Sequence, residues 1–114
     1  MIHIGIIGAG GISESHANGY LQLSDQVKIV AVADLDHERA QSAADRWGAS
    51  HAFSDYRQML ELDQIDAVSV CTFTKAHCQP SIDALESGKH VLVEKPMAAT
   101  SEEAIRMAQA SQKN

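Results

Sequence analysis

Positive charge is scarce in this chain of 114 residues: 9 Lys and Arg stand against 15 Asp and Glu, a net charge of −6. A nucleic acid or an anionic membrane surface would want a basic patch, so neither is expected as a partner. A phosphate ligand stays open, because backbone amides bind phosphate without lysines. Cysteine is nearly absent: Cys71 and Cys78 are the whole complement, and they make neither a disulfide framework nor a zinc site, so no metal is expected. Cys71 reads as a buried small hydrophobe on a strand and Cys78 as a bystander at a helix start. No apolar run approaches the ~20 residues of a membrane span. Met1 leads straight into apolar sequence, without the basic segment and cleavage site of a secretion leader, so a cytoplasmic protein is expected. Linkers, repeats and low-complexity stretches are missing as well. What remains, 45% hydrophobic and 21% charged, is ordinary globular material for one domain over residues 1–114.

What is present alternates. Residues 2–7, Ile-His-Ile-Gly-Ile-Ile, are apolar on both faces, as strands of a helix-covered parallel sheet are. A helix is predicted from about Gly11 to Leu23, with Ile12, His16, Gly19 and Leu23 near helical spacing. His16 on that face reads either as a core or packing histidine or as a cofactor contact. Val27 to Ala33 is a second strand. Asp36 is placed to cap a helix whose Ala40, Ala43, Ala44 and Trp47 fall on one face, with Gly48 ending it. His51–Phe53 is a short third strand, and Ser54 or Asp55 caps a short helix carrying Met59, Leu60 and Leu62. Ala67 to Thr72 is a fourth strand. A helix with Pro80 in its first turn runs to Ser87 and stops at Gly88. His90 to Glu94 is a fifth strand, broken by Lys95-Pro96. Thr100-Ser101-Glu102-Glu103 is a capping box opening a last helix, with Ala104, Met107, Ala108 and Ser111 on one face. Strands alternating with helices imply crossover connections and a doubly wound parallel α/β sheet. A dinucleotide-binding sheet of six strands would need one more, so the fold is expected to be truncated before its sixth strand, leaving an apolar edge exposed.

The first strand ends in Gly8-Ala9-Gly10-Gly11-Ile12-Ser13. A glycine turn feeding a helix N-terminus presents backbone N–H groups and the positive end of a helix dipole to a phosphate. Gly8 allows the turn, Gly10 lets backbone approach a pyrophosphate, and Ser13 stands where a third small residue permits close packing of helix on strand. The Ser13 hydroxyl is also within reach of a phosphate on this reading. Asp34 ends the second strand roughly 20 residues on, where a carboxylate accepts hydrogen bonds from an adenosine ribose; the other reading is a helix-capping or turn aspartate. An acidic group there favours NAD over NADP, and Arg39 leaves NADP open. Ligands of such sheets bind beyond the carboxyl ends of the strands. Thr72-Phe73-Thr74 and Glu94-Lys95 end the fourth and fifth strands and are expected to face the same crevice. Lys95 held there could donate to a carboxamide or a substrate hydroxyl, and its burial would lower its pKa. The other reading is a solvated lysine pairing with Glu94.

Gly8-Ala9-Gly10-Gly11-Ile12, Val30-Ala31-Val32-Ala33-Asp34, Ile65-Asp66-Ala67-Val68 and above all residues 84–96, Ala-Leu-Glu-Ser-Gly-Lys-His-Val-Leu-Val-Glu-Lys-Pro, resemble the N-terminal domain of the Gfo/Idh/MocA oxidoreductases. The resemblance implies a nicotinamide-dependent dehydrogenase of a sugar, polyol or related hydroxyl compound, with a Rossmann fold. It implies that Lys95 of the Glu94-Lys95-Pro96 stretch lies beside nicotinamide and substrate; Lys95 is then expected to polarise the reacting oxygen, and Glu94 to orient Lys95. The family's Thr-Pro-Asn turn and following histidine match here at Thr72 and His77, while Phe73 and Thr74 replace the Pro and Asn. The resemblance further implies a second α/β domain, absent from these residues, that holds the substrate pocket, an Asp/His pair for proton transfer and most oligomer contacts. His3, His37, His51 and His90 do not substitute for that pair. The expectation is therefore the NAD(P)-binding domain of a homo-oligomeric oxidoreductase. Its rivals are a non-catalytic dinucleotide-sensing module and an inert fragment that assembles through its open sheet edge.

Overall fold

The computed structural model describes residues 1–114, whose alternating apolar and capped segments fold in the order the pattern dictates. The strands are β1 (Ile2–Ile7), β2 (Val27–Ala33), β3 (His51–Phe53), β4 (Ala67–Val70) and β5 (His90–Val93). The helices are α1 (Gly11–Leu21), α2 (His37–Trp47), α3 (Tyr56–Leu60), α4 (Cys78–Glu86) and α5 (Ser101–Lys113), with a 3-10 turn at Thr74–Ala76. All strand pairs are parallel and the sheet order is β3-β2-β1-β4-β5. The chain thus winds outward from β1 to β3, then returns to the other side of β1 at β4. That reversal places a switch point between β1 and β4, where ligands of open α/β sheets bind. No helix is long and apolar enough to cross a membrane.

Each face of the sheet carries its own core. Ile4, Ile6, Ile29 and Val32 pack with Ala17 of α1 and Ala40, Ala43, Ala44 and Trp47 of α2. Ile7, Val30, Ala31, Ala33, Val68 and Val70 pack with Met59, Leu60, Ile65 and Ala84 on the opposite face. Val30 and Ala31 both point to this second face because the β1–β2 register slips there, pairing Ile4 with Ile29 and Gly5 with Ala31. One extra residue reverses the side-chain parity of a strand. A third cluster, Cys78, Ile82, Met107 and Ala110, joins α4 to α5.

Caps set the helix starts as expected. Asp36 accepts from the N–H groups of Glu38 and Arg39, and Gly48 closes α2 at φ 74°. Asp55 accepts from Arg57 N. Thr100 accepts from Glu103 N, while the Glu103 carboxylate reaches back to Ala99 N, one residue before the cap.

Two helix faces differ from the prediction. The buried side of α1 is Ser13 and Ala17, while Ile12, Gly19 and Leu23 are exposed. Small residues point inward there because α1 lies close on the sheet, leaving no room for Ile12. On α5 the buried positions are Met107 and Ala110, and Ala108 and Ser111 face solvent. The fourth and fifth strands also stop short, at Val70 and Val93, because the chain turns there into the crest loops. Strand β5 lies at a sheet edge and leaves Leu92 55% exposed.

Candidate dinucleotide site at the carboxyl edge of the sheet

The loop after β1 is shaped by a glycine that nothing else could replace. Gly8 has φ 95°, and a Cβ on it would stand 2.9 Å from the backbone of Cys71 and Thr72. The β1 loop therefore lies flush against the end of β4, across the switch point. Its first amides are used internally: Gly8 N donates to Ala33 O at 2.7 Å and Ala9 N to the Asp34 carboxylate at 2.8 Å.

Gly10 caps α1 from an extended conformation, and Gly11 is the first helical residue. A Cβ on either would meet nothing within 4 Å. The space over this turn is open, and the N–H groups of Gly11 and Ile12 have no partner within the helix. Open space, free donors and a helix N-terminus are what an anionic diphosphate needs. Ile12, the next residue, is 43% exposed.

Ser13 corrects the expectation. Its side chain is fully buried and its hydroxyl donates to the Gly10 carbonyl, so it presents no group to a phosphate. Its role is the small third residue that seats α1 on the sheet.

Asp34 follows β2 and is brought against the glycine loop. One carboxylate oxygen accepts from Ala9 N and the other from Asp36 N at 2.8 Å. The aspartate therefore acts as a turn residue, yet each oxygen keeps a further lone pair for a sugar hydroxyl. Beyond it Leu35 is 95% exposed.

On the other half of the crest, Thr72 donates its hydroxyl to Ala76 O, closing the turn that carries Phe73 and Thr74. Phe73 is 86% exposed, and Thr74 is half-buried. His77 is not a surface ligand: it is 1% exposed, with Nδ1 2.9 Å from Pro96 O and Nε2 2.8 Å from Thr72 O. A ring buried between two carbonyls has no atom left for a cofactor. It ties the turn after β4 to the segment after β5.

Lys95 is exposed, contrary to the burial expected of it, and Pro96 is exposed beside it. Glu94 does not face the Lys95 ammonium. One carboxylate oxygen takes His16 Nε2 at 2.7 Å and the other takes the Lys95 backbone N–H at 3.3 Å. The hydrogen bond from His16 is the main reason the Glu94 carboxyl is held below its ordinary value, with the Lys95 amide helping. The structure thus brings Gly8, Gly10, Gly11, Ile12, Asp34, Thr72, Phe73, Thr74, Glu94, Lys95 and Pro96 to one edge of the sheet, and keeps Ser13 and His77 beneath it.

Other titratable groups are structural. Burial pushes the Cys71 thiol up to about 12, with the Glu94 charge adding to it. Cys78 is raised by burial too and packs against α5. Lys89, which the sequence pattern gives no role, is 7% exposed; its ammonium donates to Leu62 O and Ile65 O at 3.1 and 3.2 Å, closing the loop before β4. His3 binds Gln64 O, and His51 stacks on Phe53. A cavity of about 560 Å³, lined by Tyr56, Arg57 and Asp83 among others, opens between α3 and α4 rather than on the crest.

Comparison with known proteins bears on the fold. Residues 2–114 match the family described as "Oxidoreductase family, NAD-binding Rossmann fold". The chain is 38% identical over 97 residues to a 4-carboxy-2-hydroxymuconate-6-semialdehyde dehydrogenase of Sphingobium, covering 85% of this chain and 30% of the relative. It is 36% identical over 113 residues to the D-glucoside 3-dehydrogenase of Escherichia coli, covering 98% and 32%. The WlbA dehydrogenase of Bordetella pertussis, solved with NADH and UDP-GlcNAcA, superposes with a TM-score of 0.93 at 33% identity, covering 98% of this chain and 35% of that one. The chain thus spans about a third of the length of the relatives it matches. With its matched residues running nearly end to end, the chain belongs to the Gfo/Idh/MocA oxidoreductase family and carries that family's NAD-binding Rossmann fold.

Proposed function

We propose that this chain holds NAD across the crest of its sheet for an oxidoreductase that moves a hydride between nicotinamide and the hydroxyl-bearing carbon of a sugar, polyol or related compound. The observation that carries the reading is the opening over Gly10 and Gly11 at the start of α1, flanked by Asp34 on one side and the Lys95 turn on the other. Amides of Gly11 and Ile12 bind the diphosphate. Asp34 accepts from the adenosine ribose and disfavours the 2′-phosphate of NADP. The exposed Leu35 and Phe73 supply apolar walls, and Thr72 and Thr74 line the floor beyond β4.

NAD supplies the hydride chemistry when bound. Lys95 donates a hydrogen bond to the reacting oxygen, and its exposure leaves the ammonium free to meet it. Glu94 fixes the backbone from which Lys95 projects. Substrate recognition and a proton-transferring Asp/His pair are assigned to a second domain of the kind that completes such enzymes. A cytoplasmic location fits the two free thiols, Cys71 and Cys78.

NADH fluorescence titration tests the reading. Saturable binding, tighter for NADH than for NADPH, is expected; no saturation overturns it. Asp34→Ala is expected to narrow the preference between the two cofactors. In the intact enzyme Lys95→Ala is expected to lower turnover by about 100-fold or more while barely changing NAD affinity. Unchanged turnover removes Lys95 from the mechanism.

A second reading concerns assembly. The 55% exposure of Leu92 on edge strand β5 favours self-association through that edge. Light scattering showing only monomer over the working concentration range overturns it.

A further inference from the structure

Helix α1 is fastened to the far half of the sheet at two points on one face. Tyr20 hydrogen-bonds Ser69 in the middle of β4, and His16, one turn earlier, hydrogen-bonds Glu94 just beyond β5. The side chains of His16 and Glu94 are 11% and 26% exposed. They border a cleft of about 450 Å³ together with Gly19, Tyr20, Leu23 and Leu92.

The ring of His16 makes no other polar contact. Its Nδ1 is buried and without a partner. A histidine placed for its own solvation or for a generic surface ion pair would satisfy that nitrogen, since an unpaired buried polar atom is unfavourable. Here the ring gives its single bond to one oxygen of Glu94, whose other oxygen accepts from Lys95 N–H. Glu94 is an acceptor only, so His16 Nε2 carries the proton. The path from the glycine turn to the lysine turn is therefore short: Gly11 opens α1, His16 lies on its second turn, and two hydrogen bonds from His16 reach the backbone of Lys95.

We infer that His16 is a positioning residue: through Glu94 it latches the phosphate-binding helix to the Lys95 turn, so that the diphosphate end and the nicotinamide end of the crevice keep one spacing. The inference rests on the dinucleotide reading above and goes beyond it. The glycine loop needs no latch to hold a diphosphate, whereas a group reaching the Lys95 turn does. His16 therefore matters for ligands that span both halves and not for those that fill only the first.

Two probes separate these cases on the chain as it stands. ADP-ribose occupies the loop and Asp34 side alone; NADH adds the nicotinamide. His16→Asn is too short to reach Glu94, while His16→Gln can place an amide N–H near the position of Nε2. In His16→Asn, NADH affinity is expected to fall by about fivefold or more, and ADP-ribose affinity to stay within about twofold. His16→Gln is expected to restore NADH binding to within about twofold of the unsubstituted chain. ADP-ribose binding doubles as the check that each variant is folded. Equal losses for both ligands, no loss for either, or no recovery with Gln overturns the latch. Failure of the unsubstituted chain to bind either ligand instead overturns the dinucleotide reading itself. A variant that does not fold moves the measurement to Glu94→Gln, which keeps the side-chain length but weakens the bond from His16. The same NADH-selective loss, smaller than in His16→Asn, is expected there, and a loss shared with ADP-ribose contradicts the latch.

Discussion

On the Gly8–Asp34 side of the crevice, small residues and backbone amides do the building; on the Lys95 side, side chains reach in from distant parts of the chain. The first half is closed over short range by Gly8 N to Ala33 O, Ala9 N to Asp34 and Asp36 N to Asp34. The second half is held by His77, which bridges Thr72 and Pro96, and by His16, which reaches Glu94 from α1. A recognition surface made of backbone needs little more than its local fold. The turn that carries Lys95 is held instead by side chains that the sequence places elsewhere.

Substitutions on each half are expected to separate these two designs. The largest effect belongs to Gly8→Ala. The positive φ and the 2.9 Å approach to Cys71 and Thr72 combine backbone strain with overpacking against an immovable neighbour, and roughly 3 kcal/mol of stability is expected to be lost. Urea denaturation reads it, and a loss under 1 kcal/mol would show that the loop can shift away from β4. Next is His77→Ala, which leaves two carbonyls without their ring partner under the crest. About 2 kcal/mol is expected, with weaker NADH binding in step.

Lys89→Met is the matched support outside the crevice. It removes the donor shared by Leu62 O and Ile65 O, and about 1–2 kcal/mol is expected, with NADH affinity unchanged among the molecules that remain folded. A fall in affinity as large as that of His77→Ala would erase the distinction between crest supports and ordinary ones. Gly10→Ala reverses the pattern. Its Cβ meets no protein atom, so the melting temperature is expected to move little, while NADH binding drops by about tenfold because the methyl stands where the diphosphate approaches.

The smallest effect is acid weakening through Glu94. Its folded-state pKa lies below the ordinary 4.5, so its carboxylate, held chiefly by the hydrogen bond from His16, stabilises the fold above that pH, and this contribution is lost as pH falls through the lowered value. Glu94→Gln is expected to flatten that part of the stability profile below pH 4.5. An unchanged acid limb would mean that other carboxylates set it.

Much of this molecule was readable before its coordinates, and the failures share a cause. The alanine stripe of α2, with Trp47, is a period any amphipathic helix shows, and all four residues are buried. On α1 the periodicity misled, because apolarity pointed to Ile12 whereas close packing selected Ser13 and Ala17 for size. The slip at Val30 left no mark in a strand apolar on both faces. Gly8, Asp34 and the Glu94-Lys95-Pro96 stretch were legible because their spacing within single connections fixes where they go. His16, His77 and Lys89 were not, since each has partners far along the chain: Glu94 for His16, Pro96 for His77, Leu62 and Ile65 for Lys89. Spacing places a residue on the crest or under it; only the folded chain shows what it holds.

The central claim is that one dinucleotide spans both halves of the crest. Amide chemical-shift mapping of the isotope-labelled chain during an NADH titration tests it most directly. Saturable shifts are expected together at Gly10, Gly11 and Ile12, at Asp34, at Thr72 to Thr74 and at Glu94 and Lys95. Shifts confined to Tyr56, Arg57 and Asp83 around the α3–α4 cavity, or no saturable shifts, would contradict it.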